Sequence, residues 1–294
     1  MASKQKILSV IGLLSGALVW GLMWYPFRAL HNMGVGGELS TLLSYTMAMI
    51  LGLLFLGPIW RELRIAGWLS VVLMVSAGWT NLGYVLAMLD GEVMRVLLLF
   101  YLAPLWTVIF SRWLLGEKLN HYGYAIIAVS LGGAFVMLWD MQHGLPLPQN
   151  QAEWIGLSAG ISFALMNVIV RRTQHLSVNF KVASVWFGTM LFTTVLLLYH
   201  GNIIAQLQSI KSEAWWLLWL IGLVVCVISF AVQYGLTYLP ANQAIVLFLS
   251  ELVFAAISSY FLADEKMGLQ EVIGAMLIVS ASLLSGKCSP HPGK

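Results

Sequence analysis

The chain has 294 residues, of which 60% are hydrophobic and 9% charged, against ~25% charged in an ordinary soluble domain. So few charges cannot cover a water-soluble surface of this size, which excludes a soluble globular protein, a disordered chain and a nucleic-acid binder. The formal net charge of +3 is modest and sits in clusters between apolar runs, which leaves a polytopic helical membrane protein.

Ten apolar runs between charged or Gly/Pro-rich breaks predict spans at 7–30, 38–57, 65–89, 92–114, 120–139, 153–173, 179–199, 213–238, 241–262 and 268–286. Lys4-Gln5-Lys6 before the first run looks like a signal peptide, but no small-residue cleavage site follows, so the run reads as a retained span. The runs are continuous rather than alternating, which argues against barrel strands. Spans eight and nine are divided only by Leu239-Pro240-Ala241, and Pro240 is the reason to break there. Cys226 lies inside an apolar run and Cys288 in the tail, a placement that predicts no disulfide framework.

Basic residues set the orientation. With the N-terminus in the cytoplasm, Lys4, Lys6, Arg61, Arg64, Arg112, Lys118, Arg171, Arg172, Lys181, Lys287 and Lys294 fall on the cytoplasmic side. Arg28, Arg95, Lys211 and Lys266 fall opposite. This bias predicts both termini in the cytoplasm and favours an even number of spans.

An internal repeat follows from comparing the halves. At an offset of 148, Leu99, Phe100, Leu114, Glu117 and Lys118 recur as Leu247, Phe248, Leu262, Glu265 and Lys266. At an offset of 144, IGLLSG (11–16) matches IGLSAG (155–160), and Arg28 falls on Arg172. The fold expected is therefore all-α: ten transmembrane helices as a 5+5 inverted repeat, with units 1–145 and 146–294. An odd number of spans per unit inserts the copies in opposite orientations, an arrangement that marks transporters with a site at the repeat interface.

Four features carry a family resemblance: Leu115-Gly116-Glu117-Lys118-Leu119, Ala263-Asp264-Glu265-Lys266, the Trp20-Gly21 pair and Pro104. With ten spans in two inverted halves, they resemble the drug/metabolite transporter superfamily in its EamA-type branch, over nearly the whole chain. Within it the chain looks most like the bacterial aromatic amino acid exporters. The resemblance implies a bacterial inner-membrane protein that exports amino acids, aromatic ones above all, by alternating access, with spans four and nine as moving gates. Its partners would be the lipid bilayer and the small-molecule substrate, the assembly a monomer, and no enzyme activity would be involved. One departure is Leu252, which stands where the partner position carries Pro104, so no proline kink is expected in span nine.

Glu251 is the sharpest single residue. It is the eleventh residue of its predicted span, where an acid costs ~2.5–3.5 kcal/mol on insertion scales and must face the bundle interior. It either holds a substrate ammonium group or carries a coupled proton; the alternative is a protonated carboxyl bonded to a neighbouring helix. Gln243, Leu247, Ser250, Phe254 and Ser258 share its helix face. Asn81 and Tyr84 in span three, Asn167 in span six and Gln233 in span eight are further mid-span polar groups, each either a cavity contact or interhelical glue. Trp20, Trp24, Trp79, Tyr101, Trp106 and Trp186, with Tyr84, are candidates to wall a site that stacks flat substrates, against the commoner role of core packing. Pro26 and Pro104 are candidate hinges. A second functional reading is a proton-coupled exporter of cationic drugs or other small metabolites, with Glu251 as the proton and cation site. No P-loop, no metal-ligand spacing and no nucleophile–base pair is found, so no metal and no cofactor is expected.

Overall fold

The computed structural model describes residues 3–57, 59–91, 93–139, 147–201, 203–262 and 268–288. The Asp264-Glu265-Lys266 motif and the 145/146 boundary lie outside them. Among the described residues there is no strand. The first half contains α1 (Ser3–Asn32), α2 (Gly37–Leu56), the short α3 (Trp60–Leu63), α4 (Gly67–Asp90), α5 (Val93–Phe100), α6 (Ala103–Phe110), a π turn (Ser111–Leu115) and α7 (His121–Leu138). The second contains α8 (Gln151–Arg172), α9 (Val178–His200), the short α10 (Ile203–Gln208), α11 (Ser212–Tyr238), α12 (Ala241–Phe248), α13 (Ser250–Leu262), α14 (Leu269–Leu284) and a 3-10 turn, Ser285–Cys288.

Among the described residues, eight stretches are long and apolar enough to cross a membrane, and two shorter apolar helices, His121–Met137 and Val272–Lys287, stand at the fifth and tenth predicted positions. Side chains from the turns define where helices start: Asn120 accepts from the Gly123 N–H, Asn150 from Glu153 and Ser177 from Phe180. Pro240 is extended, at φ −56° and ψ 141°, and separates α11 from α12.

The contacts display the inverted repeat. Helix α1 packs on α11 and on α12–α13, while α8 packs on α4 and on α5–α6. Exchanging the first five spans for the last five converts one set into the other. Spans two and seven (α2 and α9) pair with each other, as do five and ten (α7 and α14). A nonpolar bundle in lipid gains little from the hydrophobic effect, so close packing must hold it. Glycines allow that approach. A Cβ on Gly188 of α9 would collide with the Met74 carbonyl of α4, and one on Gly160 of α8 with the Phe100 carbonyl of α5.

Spans four and nine are both interrupted. The first breaks at Tyr101-Leu102, just before Pro104, and the second at Leu249. Leu249 is 148 residues after Tyr101, so the interruptions coincide in the repeat although only one half has a proline. The absence of a proline at 252 therefore does not leave span nine straight through. Pro26, by contrast, sits inside an unbroken α1.

Replacing Gly188 by Leu should force α4 and α9 apart at an overpacking cost of about 1–3 kcal/mol. Thermal unfolding in detergent should then occur roughly 2–12 °C lower. Gly132→Ala, where a Cβ meets nothing within 4 Å, should not lower it; an unchanged melt for Gly188→Leu would contradict the packing described.

Candidate functional site

A partly open cavity lies between the two halves. Its walls repeat the symmetry of the fold. Thr80, Asn81, Tyr84 and Val85 line it from α4, and Ile228, Ser229, Val232 and Gln233 line it from α11; each pair is 148 residues apart. Phe100 and Phe248 form a fifth pair at the same offset. Trp20 and Phe27 of α1, Tyr45 of α2, Phe163 and Met166 of α8, Val185 of α9 and Glu251 of α13 complete the lining.

Among the described residues that line it, Glu251 is the charged one and none is Lys, Arg or His. It is 7% exposed and sits at mid-length of the Ala241–Leu262 span. The Tyr84 hydroxyl donates to its Oε1 at 3.5 Å, and the buried Tyr101 phenol stands near the same carboxyl without a geometrically formed hydrogen bond. The bond from Tyr84 is long, so the carboxyl retains capacity to accept from another donor.

Neutral groups around it are held in place. Asn81 Oδ1 accepts from the Tyr45 hydroxyl at 2.6 Å, and Asn81 Nδ2 donates to the Ala77 carbonyl at 2.8 Å and to Thr189 at 3.3 Å. Asn81 thus fixes Tyr45. Ser229 accepts from Trp186 Nε1 at 2.9 Å, which leaves its own hydroxyl hydrogen available. Gln233 Oε1 is buried with no partner. Aromatic faces supply much of the rest: Phe163 stacks on Phe100 at 5.4 Å and meets Phe248 edge-on at 5.2 Å.

Of the residues singled out in the sequence, Trp20, Asn81, Tyr84, Gln233 and Glu251 are brought together in this cavity. Trp24, Trp79, Tyr101, Trp106, Asn167 and Trp186 are not part of its lining. Trp24 donates to Ser258 at 2.9 Å and carries the Arg28 guanidinium 4.9 Å above its ring. Trp186 fills the gap left by Gly52. Tyr101 packs edge-on against Phe100, and Trp106 packs on the core. Asn167 is fully buried with neither amide atom bonded. The sequence did not single out Tyr45, Thr80, Ser229 or Phe163; Phe100 and Phe248 were visible as a repeat-matched pair, and pairing all of span three with span eight at 148 exposes Thr80 and Ser229 as well.

Toward the face where α1 begins, hereafter the N-face, polar contacts close the bundle. Arg171 Nη1 donates to the Thr237 carbonyl at 2.9 Å, and its Nε lies 3.8 Å from Glu117 Oε1. The buried Lys181 ammonium donates to the Thr237 hydroxyl at 3.0 Å, and Asn242 Nδ2 donates to Ser111 at 2.9 Å. Burial pushes the Glu117 carboxyl up from the usual carboxylate range, against the opposing pull of Arg171 and the Ala241 backbone. Gly116, at φ 68°, turns the chain after the π turn and so sets Glu117 against Arg171. Among the described residues, no group of three or more His, Cys, Asp or Glu is placed to hold a metal ion.

The comparisons agree with this architecture. The chain is 25% identical over 212 residues to an uncharacterized transporter of Archaeoglobus fulgidus, a match over 70% of this chain and 72% of that one. A solved structure described only as the crystal structure of a protein superposes with a TM-score of 0.71 at 17% identity, covering 97% of this chain and 98% of the other; that likeness shows the fold. The description of the EamA-like transporter family matches residues 7–139 and again 151–286. The protein is therefore a membrane transporter that belongs to the EamA-like transporter family.

Proposed function

We propose that this transporter exports small amine-bearing metabolites, foremost amino acids with aromatic side chains, out of a bacterial cytoplasm across the inner membrane. The observation that carries the reading is one carboxylate, Glu251, set in an aromatic-walled cavity between inverted halves. The carboxylate would take the ammonium group, and Trp20, Phe100, Phe163 and Phe248 would stack the flat side chain. Ser229 and Gln233 offer neutral donors for the carboxyl end. The basic bias supports a cytoplasmic N-face. The units 1–145 and 146–294 would rock against one another around this site, with Tyr101-Leu102 and Leu249 as the points where the gating spans bend.

A second reading is favoured by the charge of the lining. With an acid and no basic residue, the cavity also suits organic cations, which Glu251 would exchange for a proton.

Protein reconstituted in liposomes should carry phenylalanine or tryptophan down their gradients; flux equal to that of empty vesicles would sink the proposal. Glu251→Gln keeps the shape and removes the charge. Loss of a charge-assisted contact worth ~1.5–3 kcal/mol should raise the apparent KM for the amino acid about tenfold or more. At saturating substrate, a modest loss of uptake with its pH response intact supports amino acid export, whereas complete loss of pH-dependent uptake supports cation–proton exchange.

A further inference from the structure

A buried polar atom without a partner forfeits its hydration and gains nothing in return, so each such atom calls for a reason. Among the described residues, eight hold such an atom; Ser44 on α2 and Gln233 on α11 are two of them, and the other six are concentrated. Tyr101, Trp106, Thr107, Glu117, Asn167 and Asn242 each have a buried side-chain atom with no hydrogen-bond partner. Four of the six lie on span four and its exit, one on α8 and one on α12, and these elements pack on each other.

Register places the orphans along one seam. Helices α5 and α8 run parallel, with Gly156 against Val96 and Gly160 against Phe100. Beyond this contact α6 also packs on α8, and Thr107 and Asn167 each lie seven residues past the Phe100–Gly160 approach. Asn167 is therefore on the same helix face as Gly160. One turn further, Arg171 reaches Glu117, and Asn242 reaches Ser111 of the π turn. At its other end the seam meets the cavity, where Phe100 precedes Tyr101 and Gln233 presents another unpartnered oxygen. The line of orphans thus runs from the cavity to the N-face.

We propose that this seam between α6, α8 and α12 is the substrate route from the cavity to the N-face, shut in this conformation, and that Glu117–Arg171 and Asn242–Ser111 latch it. When the latch parts, water reaches Thr107, Asn167 and Asn242, and their amides and hydroxyl provide successive contacts for an ammonium or carboxylate group in transit. The route rests on the reading of the cavity as the substrate site. The latch joins the repeats: Glu117 and Ser111 belong to the first half, and Arg171 and Asn242 to the second. Its release frees the halves to move apart at this face.

The test is thiol labelling of full-length purified protein in which Cys226 and Cys288 are replaced by Ser. A single cysteine is placed at Thr107 (Thr107→Cys) or, as the reference, in the cavity at Thr80 (Thr80→Cys), and a polar maleimide is the probe. Adding Glu117→Gln should speed labelling at 107 about tenfold, because a charge-assisted contact holding the shut state is lost, and should slow labelling at 80 as the opposite side closes. An unchanged rate at 107, or a parallel rise at both positions as from a loosened fold, overturns the proposal. Arg171→Gln, acting on the other partner, must reproduce the pattern; if it does not, the latch is wrong. Labelling needs no transported substrate, so this result is independent of whether the cargo is an amino acid.

Discussion

Hydrocarbon offers no hydrogen-bond donor or acceptor, and this constraint organises the molecule from its helices to its site. Backbone groups are satisfied within helices. Side-chain hydroxyls in mid-span turn back on their own helix, as Ser76, Thr80, Thr189 and Thr193 do on carbonyls four residues earlier. The polar groups that remain face inward, where they tie helices together or stand with few or no partners. Lys181 shows the first outcome, fully buried yet bonded to Thr237. Glu251, Gln233 and Asn167 show the second.

Symmetry turns that constraint into a transport device. Four residue pairs from α4 and α11, together with Phe100 and Phe248, line the cavity at a single offset, so each half supplies the same surface in opposite orientation. The chemistry on that surface is unequal. Tyr84 stands opposite Val232, Asn81 opposite Ser229, and Glu251 has no acidic counterpart, because Ala103 occupies the matching place. In the proposed cycle, equal backbones would permit the two openings to exchange, while unequal side chains would give the cargo a defined direction in the site. The interruptions of spans four and nine obey the backbone symmetry. They coincide at Tyr101 and Leu249 even though Pro104 has no partner.

The ten spans, the inverted repeat and the buried mid-span position of Glu251 were legible in the sequence because each leaves a local mark: a run of apolar residues, a recurring motif, a charge where none is tolerated. Asn81, Tyr84 and Gln233 were legible for the same reason. Helical spacing, however, identifies a face and not the neighbour it meets. Trp186 and Trp24 have the composition of cavity walls, yet Trp186 is consumed by the notch at Gly52 and Trp24 by Ser258 and Arg28. Tyr45 and Phe163 reach the cavity by packing across helices remote in sequence, and nothing in their own segments marks them. The break at Leu249 was hidden because the residue type that usually announces a kink is missing.

The central claim is that the cavity recognises an ammonium group through Glu251 and a flat apolar body through its aromatic walls. Competition for bound radiolabelled phenylalanine on purified protein tests it most directly. Phenethylamine, which keeps the amine and the ring, should displace the label; 3-phenylpropionate, which keeps the ring and the carboxylate, should not. Displacement by 3-phenylpropionate as effective as that by phenethylamine would contradict the account.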